Sequence, residues 1–314
     1  MITGATGYLG SVLASALSNV ECELRLLALE KSPFVFPSGK AKVKFIAGDV
    51  SSADIWPEAL EEADVVFHLA AFEHRYGSEF NPEADLRVNA GAVLNLLESC
   101  RKSKIFPRIV FSSSSNLFGR AKTTPVNEGF PDDPLNLYSI HKLAAEKYLR
   151  FYAEEFGVPS VALRLGNVYG PSLSVDLSLR ATLNKIIKRG VGEESLKVFK
   201  NQNRLRDYIF IDDVTSAFLR AGSGEVGWDG RYYVVSGGEG KTLRQTMDLI
   251  VERLAAKTAR RLEVATDDDS PIQAIEQRDF VADSRRFKEA TGWSAAVSLT
   301  DGIDRTVDYF LKNK

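Results

Sequence analysis

Two residue types at one spacing suggest chemistry before any element is assigned. Tyr138 and Lys142, in Tyr138-Ser139-Ile140-His141-Lys142, stand four apart and so fall on one face of a helix. A tyrosine titrates near ~10 and is a weak base at neutral pH. A lysine ammonium one turn away favours the phenolate, which can take a proton from a hydroxyl as hydride leaves the same carbon. Ser112-Ser113-Ser114-Ser115 closes the apolar run Arg108–Ser113, and a hydroxyl there can hydrogen-bond the same oxygen. A tyrosine and a lysine four apart occur by chance in many helices. Their weight comes from what else stands in the chain, and in what order.

The first such feature is Thr3-Gly4-Ala5-Thr6-Gly7-Tyr8-Leu9-Gly10, a GxxGxxG spacing directly ahead of an amphipathic stretch. Glycines serve a turn that visits φ > 0, lets a pyrophosphate approach the backbone and packs a helix closely on a strand. The helix start then offers free N–H groups and its positive dipole end to phosphates. No GK[ST] follows, which removes a P-loop. A dinucleotide also needs a ribose acceptor ~20 residues on, at the end of the second strand. Leu24–Leu29 is that strand and Glu30 ends it. A carboxylate there accepts from both ribose hydroxyls and repels a 2′-phosphate, favouring NAD; Lys31 next door suits such a phosphate, so NADP stays open. Only Met1 and Ile2 precede the turn, although a central strand must feed it. The expectation is a natural chain that begins several residues upstream, with Met1 inside that strand.

The elements that position these groups follow from the apolar pattern. Lys42–Gly48, Asp64–Ala71, Arg108–Ser113 and Ser160–Leu165 read as short buried strands of a parallel sheet. Gly10–Leu17, Ala53–Glu61, Asn89–Lys102 and Leu137–Phe156 read as the helices between them, the last stopped by Gly157 and Pro159. Strand–helix–strand repetition implies right-handed crossovers, hence an α/β, Rossmann-like, doubly wound parallel sheet. Open sheets of this kind hold ligands at the carboxyl ends of their strands, where the serines stand. After Gly170-Pro171 the pattern loosens into helices at Leu179–Arg189, Asp213–Ala221, Leu243–Ala256 and Gly302–Leu311, with strands at Leu196–Phe199 and Arg231–Ser236. The reading is a dinucleotide-binding domain over 1–170, with a return segment near 205–222, and a smaller α+β domain over 171–314.

Composition bounds the partners. Among 314 residues, 40 Lys+Arg balance 42 Asp+Glu, and the interspersed charges lack the basic face of a nucleic-acid binder. No apolar run approaches the ~20 residues of a membrane helix, and no secretory leader is read at the start. The two cysteines, Cys22 and Cys100, are too few for a disulfide framework or a cysteine-built zinc site. A cytoplasmic protein without a metal centre is expected.

In this order the motifs carry a family resemblance. Over essentially its whole length the chain resembles the extended short-chain dehydrogenases/reductases of the nucleotide-sugar epimerase/dehydratase group. The likeness runs through the glycine turn, Gly48-Asp49-Val50, His68-Leu69-Ala70-Ala71, Asn89 ahead of Asn95-Leu96-Leu97-Glu98, and Ser112–Gly119. It continues through Tyr138–Lys142, Arg164-Leu165-Gly166-Asn167-Val168-Tyr169-Gly170-Pro171, Arg206-Asp207-Tyr208 before Ile211-Asp212-Asp213-Val214, and Gly292-Trp293 with Ser298-Leu299 and Gly302. The resemblance implies that Gly4, Gly7, Tyr8, Leu9 and Gly10 cradle the pyrophosphate and that Asp49 and Val50 bracket the adenine. Leu69, Ala70 and Ala71 would line the cofactor channel, with Asn89 beside it and Ser112 at the strand end. Tyr138 is then the base, Lys142 its partner on the nicotinamide ribose, and Ser114 the hydroxyl opposite. Asn167 and Arg206 would grip the nucleotide diphosphate, a task suited to a guanidinium fork. His68 reads as a satisfied core histidine and His141 as structural, while Glu73 and His74 fall in a loop near the sugar. A homodimer through Asn89–Lys102 and Leu137–Phe156 is also implied.

Departures from the family narrow the reaction. The family's 4,6-dehydratases carry Thr-Asp-Glu where this chain has Ser114-Ser115-Asn116, and neither Ser115 nor Asn116 can remove water as an acid–base pair. The usual Gly-Asp-Gly gives way to Lys200-Asn201-Gln202 and the usual Arg-Pro-Gly-Asp to Gln273-Ala274-Ile275-Glu276, so the nucleotide base stays open. Glu276 is a candidate for a ribose and Arg278 for the lost arginine. Three readings result: an NAD-dependent nucleotide-sugar epimerase, at C4, with transient oxidation to a 4-keto sugar; an NAD(P)H-dependent 4-ketoreductase of an NDP-deoxysugar; and a dinucleotide-sensing protein without catalysis. The first fits best.

Overall fold

The computed structural model describes residues 1–29, 39–72, 81–192, 195–199, 203–224, 226–258, 262–267 and 277–313. Seven parallel strands form its central sheet: β1 (Ile2–Thr3), β2 (Glu23–Ala28), β3 (Lys42–Ala47), β4 (Val65–His68), β5 (Arg108–Ser114), β6 (Ser160–Leu165) and β10 (Asp229–Val235), in the order β10-β6-β5-β4-β1-β2-β3. The alternation of a strand covered on both faces is visible residue by residue. Leu26, Phe67, Val110 and Leu163 enter the core on one face. Their neighbours Leu27, Val66, Phe111 and Ala162 enter the core on the other. The first core is closed by the Tyr8–Ser18 and Ile211–Gly222 helices through Leu13, Val214 and Phe218. The second is closed by Ala92–Ser103 and Leu137–Phe156 through Leu96, Leu97 and Leu149.

Strand order reverses at β1, which pairs with β2 through Ile2–Leu26 and with β4 through Ile2–Phe67. That reversal opens the crevice in which doubly wound sheets hold their ligands. The long Leu137–Phe156 helix is placed by its ends. Asn136 caps it, its side chain accepting from the Ser139 N–H at 2.9 Å, and Gly157 stops it at φ 69°.

Downstream, β7 (Asn167–Tyr169) pairs with β9 (Leu205–Phe210), which also pairs antiparallel with β11 (Gly240–Thr242). A separate pair joins β8 (Leu196–Phe199) to β12 (Val264–Asp267). A third core, with Leu183, Ile187, Ile250, Ile303 and Phe310, binds these to the helices of the second half. Ile211–Gly222, within the return segment expected near 205–222, packs on the sheet of the first half, and outside that segment β10 is the same sheet's edge strand beside β6. The helix expected over Leu179–Arg189 is instead two, Val175–Ser178 and Thr182–Val191. Asn184 sets that break, bonding the Ser178 carbonyl and both backbone groups of Gly170.

Candidate active site

A cleft of about 1830 Å³ runs across the carboxyl ends of the strands, well above the ~300–1,000 Å³ of a single small-molecule pocket, and so has room for two ligands side by side. Its first half is built by the glycine turn. Gly4 has φ 64°, and a Cβ there would lie 2.8 Å from Ala70 Cα, so only glycine lets β1 and β4 close at this point. A Cβ on Gly10 would collide with the Gly4 carbonyl oxygen, whereas Gly7 meets little besides that oxygen and leaves the helix start open. Tyr8, Leu9, Leu69, Ala70 and Ala71 line the same floor. Tyr8 donates to the Gly170 carbonyl at 2.8 Å, which fastens the turn to the second half; burial pushes its phenol far above the ordinary range. Asp49 and Val50 line the end of the cleft beside Ala28 and Leu29. A glycine cradle with an open helix start fits a dinucleotide pyrophosphate. Glu30 and Lys31, the ribose candidates, lie outside the described residues, as do Glu73, His74 and Glu276.

Tyr138, Lys142, Ser112 and Ser114 line the middle of this cleft together. Lys142 is buried and donates from Nζ to the Ser112 carbonyl at 2.9 Å, with Nζ 5.8 Å from the centre of the Tyr138 ring and 4.4 Å from that of Phe111. The Ser114 hydroxyl accepts from the Asn116 N–H at 3.1 Å and so keeps its proton for another partner. Behind them, Glu146, one turn after Lys142, is buried against Arg164 of β6 and Ser113 of β5. Arg164 donates to its carboxylate at 2.6–3.2 Å and Ser113 at 2.5 Å. The ion pair joins the helix bearing Tyr138 to β6, and the Ser113 bond joins it to β5, the strand that ends in Ser114.

Asn89 does not line the cleft. It is buried, pairing with both backbone groups of Phe72 and donating to Asp85 at 2.8 Å. His141 also meets Asp85, at 2.7 Å, tying the helix that bears Tyr138 to the same cluster. His68 is satisfied on one side only. The Thr3 hydroxyl accepts from the N–H groups of Leu69 and Ala70, so its own proton points to His68 Nδ1 at 3.0 Å. The ring proton then sits on Nε2, which has no partner among the described residues and lies between the Trp56 and Phe111 rings. Burial, with the Lys142 charge nearby, pushes the His68 pKa down to about 3.

In the second half Asn167 and Arg206 line the cleft, Asn167 donating to the Asp207 carbonyl at 2.9 Å. Asp207 fixes this strand: its carboxylate accepts from the N–H groups of Gly238 and Ala282, and burial outweighs those bonds to push its pKa up to about 6. Arg278 lines the cleft as well, its Nη1 donating to the Ser115 and Gly119 carbonyls and its Nη2 to Asn116 Oδ1. Sequence reasoning did not find Arg180, Arg189, Lys197 and Phe280, which face the same space. They stand on separate short elements with no shared period, so no pattern joins them before the chain folds.

Comparison with known proteins agrees with this geometry. The chain is 28% identical over 321 residues to a UDP-glucose 4-epimerase of Mycolicibacterium smegmatis, covering 100% of this chain and 98% of that protein. It superposes on the UDP-glucose 4-epimerase of Thermotoga maritima, solved with UDP-glucose, with a TM-score of 0.86 at 27% identity, covering 99% and 98% of the two chains. MoeE5 in complex with UDP-glucuronic acid and NAD gives a TM-score of 0.84 at 25% identity, covering 100% and 99%. A family model matches residues 1–236, more than half the chain, and on that match this protein belongs to the NAD dependent epimerase/dehydratase family.

Proposed function

We propose that the chain is an NAD-dependent 4-epimerase of UDP-sugars, working through Ser114, Tyr138 and Lys142. The observation that carries this reading is their convergence in one cleft with the glycine turn, so that a reacting carbon can face the proton-transfer groups and the nicotinamide together. NAD, when bound, supplies the acceptor for hydride from C4 of the sugar. Tyr138 takes the proton of the C4 hydroxyl. Lys142, beside its ring, favours the phenolate, and Ser114 hydrogen-bonds the same oxygen as it becomes a carbonyl. The keto sugar would turn in the wide cleft, and Tyr138 would return the proton to the C4 oxygen once the opposite face is presented. Gly4, Gly7, Tyr8, Leu9 and Gly10 hold the pyrophosphate in this reading, and Asp49 and Val50 the adenine. Asn167 and Arg206 hold the diphosphate of the substrate.

The test is twofold. Protein purified without added cofactor is denatured and the released nucleotide identified, and epimer formation from UDP-glucose and UDP-glucuronic acid is followed by NMR. Retained NAD and a 4-epimer are expected. An empty site that binds NADPH and consumes it stoichiometrically would replace this reading by a 4-ketoreductase.

A homodimer belongs to the same proposal. Ile140, Ala144, Tyr148 and Phe151 recur three or four apart along one stripe of the Leu137–Phe156 helix, with Ile140 46% and Phe151 52% exposed. A cytoplasmic location, and a division into a dinucleotide-binding part and a nucleotide-sugar-binding part, complete it.

A further inference from the structure

Arg278 is buried, 6% exposed, yet it lines the cleft. Every acceptor it meets among the described residues is neutral: the Ser115 carbonyl at 2.9 Å, the Gly119 carbonyl at 3.3 Å and Asn116 Oδ1 at 2.7 Å. No described carboxylate pairs with it. The charge that acts on it is another cation, Arg206, whose Nη1 donates to the Arg278 carbonyl at 2.7 Å. Burial and that neighbour draw its pKa down to about 10. A cation removed from water with no counter-charge is costly, and the cost is relieved when an anion arrives.

Donor counting says which anion fits. A guanidinium has five N–H groups. Two on Nη1 and one on Nη2 are used by the three acceptors, which leaves Nε–H and one on Nη2. Two donors on adjacent nitrogens match the two oxygens of a carboxylate. Position says where the anion sits. Asn116, which receives Nη2, donates its own N–H to Ser114 Oγ at 3.1 Å. Arg278 is therefore one side chain away from the hydroxyl that the proposed reaction places on the C4 oxygen of the sugar. C6 is the exocyclic carbon on C5, the ring neighbour of C4, so a C6 carboxylate lies close to the C4 oxygen. We infer that Arg278 is a carboxylate-binding residue and that the substrate is a UDP-linked uronic acid, its C6 carboxylate seated on the Nε and Nη2 donors. This rests on the epimerase reading for the placement of the sugar.

Calorimetric titration of the NAD-loaded protein with UDP, UDP-glucose and UDP-glucuronic acid tests it, because binding needs no turnover. The wild type should bind UDP-glucuronic acid at least tenfold more tightly than UDP-glucose, since a charged hydrogen-bonded pair is worth more than one such factor. Arg278→Gln should abolish that preference while leaving UDP and UDP-glucose within about twofold, and Arg278→Lys should restore part of it. Equal binding of the two sugars by the wild type, or no binding of either, overturns the inference. So does a loss of UDP affinity in Arg278→Gln as large as that for UDP-glucuronic acid, which would assign Arg278 to the diphosphate. Should Arg278→Gln fail to fold, the wild-type comparison decides alone. Tight, Arg278-dependent binding of UDP-glucuronic acid without epimer formation would keep this inference and sink the reaction.

Discussion

Glu146→Leu is the substitution whose effect the fold specifies most closely. The carboxylate is 4% exposed and takes donations from Arg164 and Ser113, joining helix to two strands. Its loss strands a guanidinium that is fully buried, and removing one partner of a buried pair costs ~3–5 kcal/mol. Two features soften the blow. Asp132 Oδ1 lies 2.7 Å from Arg164, and the Tyr232 ring centre 3.5 Å from its guanidinium carbon. The lower end, about 3 kcal/mol, is therefore expected. At ~2–4 °C per kcal/mol in chains somewhat smaller than this one, the melting temperature should fall by roughly 6 °C. Glu146→Leu combined with Arg164→Met should recover most of it, because an apolar pair of similar volume replaces a buried ion pair at little cost. Urea and thermal unfolding of both single variants and the double variant give the coupling directly. A single Glu146→Leu variant within 1 kcal/mol of wild type, or a double variant no better than the single, would refute the view that this pair clamps the helix bearing Tyr138.

Further outcomes follow from the site. Tyr138→Phe should lower kcat by ~10²–10⁴-fold while the protein still retains NAD, read by single-turnover assay and nucleotide release. Gly10→Ala, which drives a methyl into the Gly4 carbonyl, should cut NAD affinity at least tenfold by fluorescence titration. His68, held near 3 when folded against ~6.5 when unfolded, binds its proton only in the unfolded chain, so it withdraws stability as pH falls from about 6.5 toward 3. His68→Phe should flatten that acid limb of the melting curve, and an unchanged slope would count against it. Phe151→Glu should convert a dimer to a monomer in sedimentation velocity.

The sequence made the first half legible because parallel strands covered on both faces are continuous apolar runs. Ser160–Leu165 and Leu137–Phe156 stand where the pattern puts them. The residues proposed for catalysis could be located for a related reason: each sits a fixed step from an element end, Ser114 at a strand tip and Tyr138 in a first helical turn. What escaped depends on long-range contacts. Nothing near Leu179 in sequence says that Asn184 will reach back to Gly170. Asn89, expected beside the cofactor, spends its amide on Phe72, a choice visible only once the loop after β4 is in place. Arg278 was singled out only as a stand-in for a lost arginine, and its setting came from three acceptors more than 150 residues away.

The late arrival of the strand beside β6 has a consequence for synthesis and for engineering. While the ribosome has made only the first 170 residues, β6 is an open margin with unpaired N–H and C=O groups, a template for another chain until Asp229–Val235 emerges. No single cut separates the halves either. A fragment ending near residue 170 should aggregate, and a chimaera that exchanges the substrate part with a relative must keep residues 205–235 from the parent that supplies the sheet.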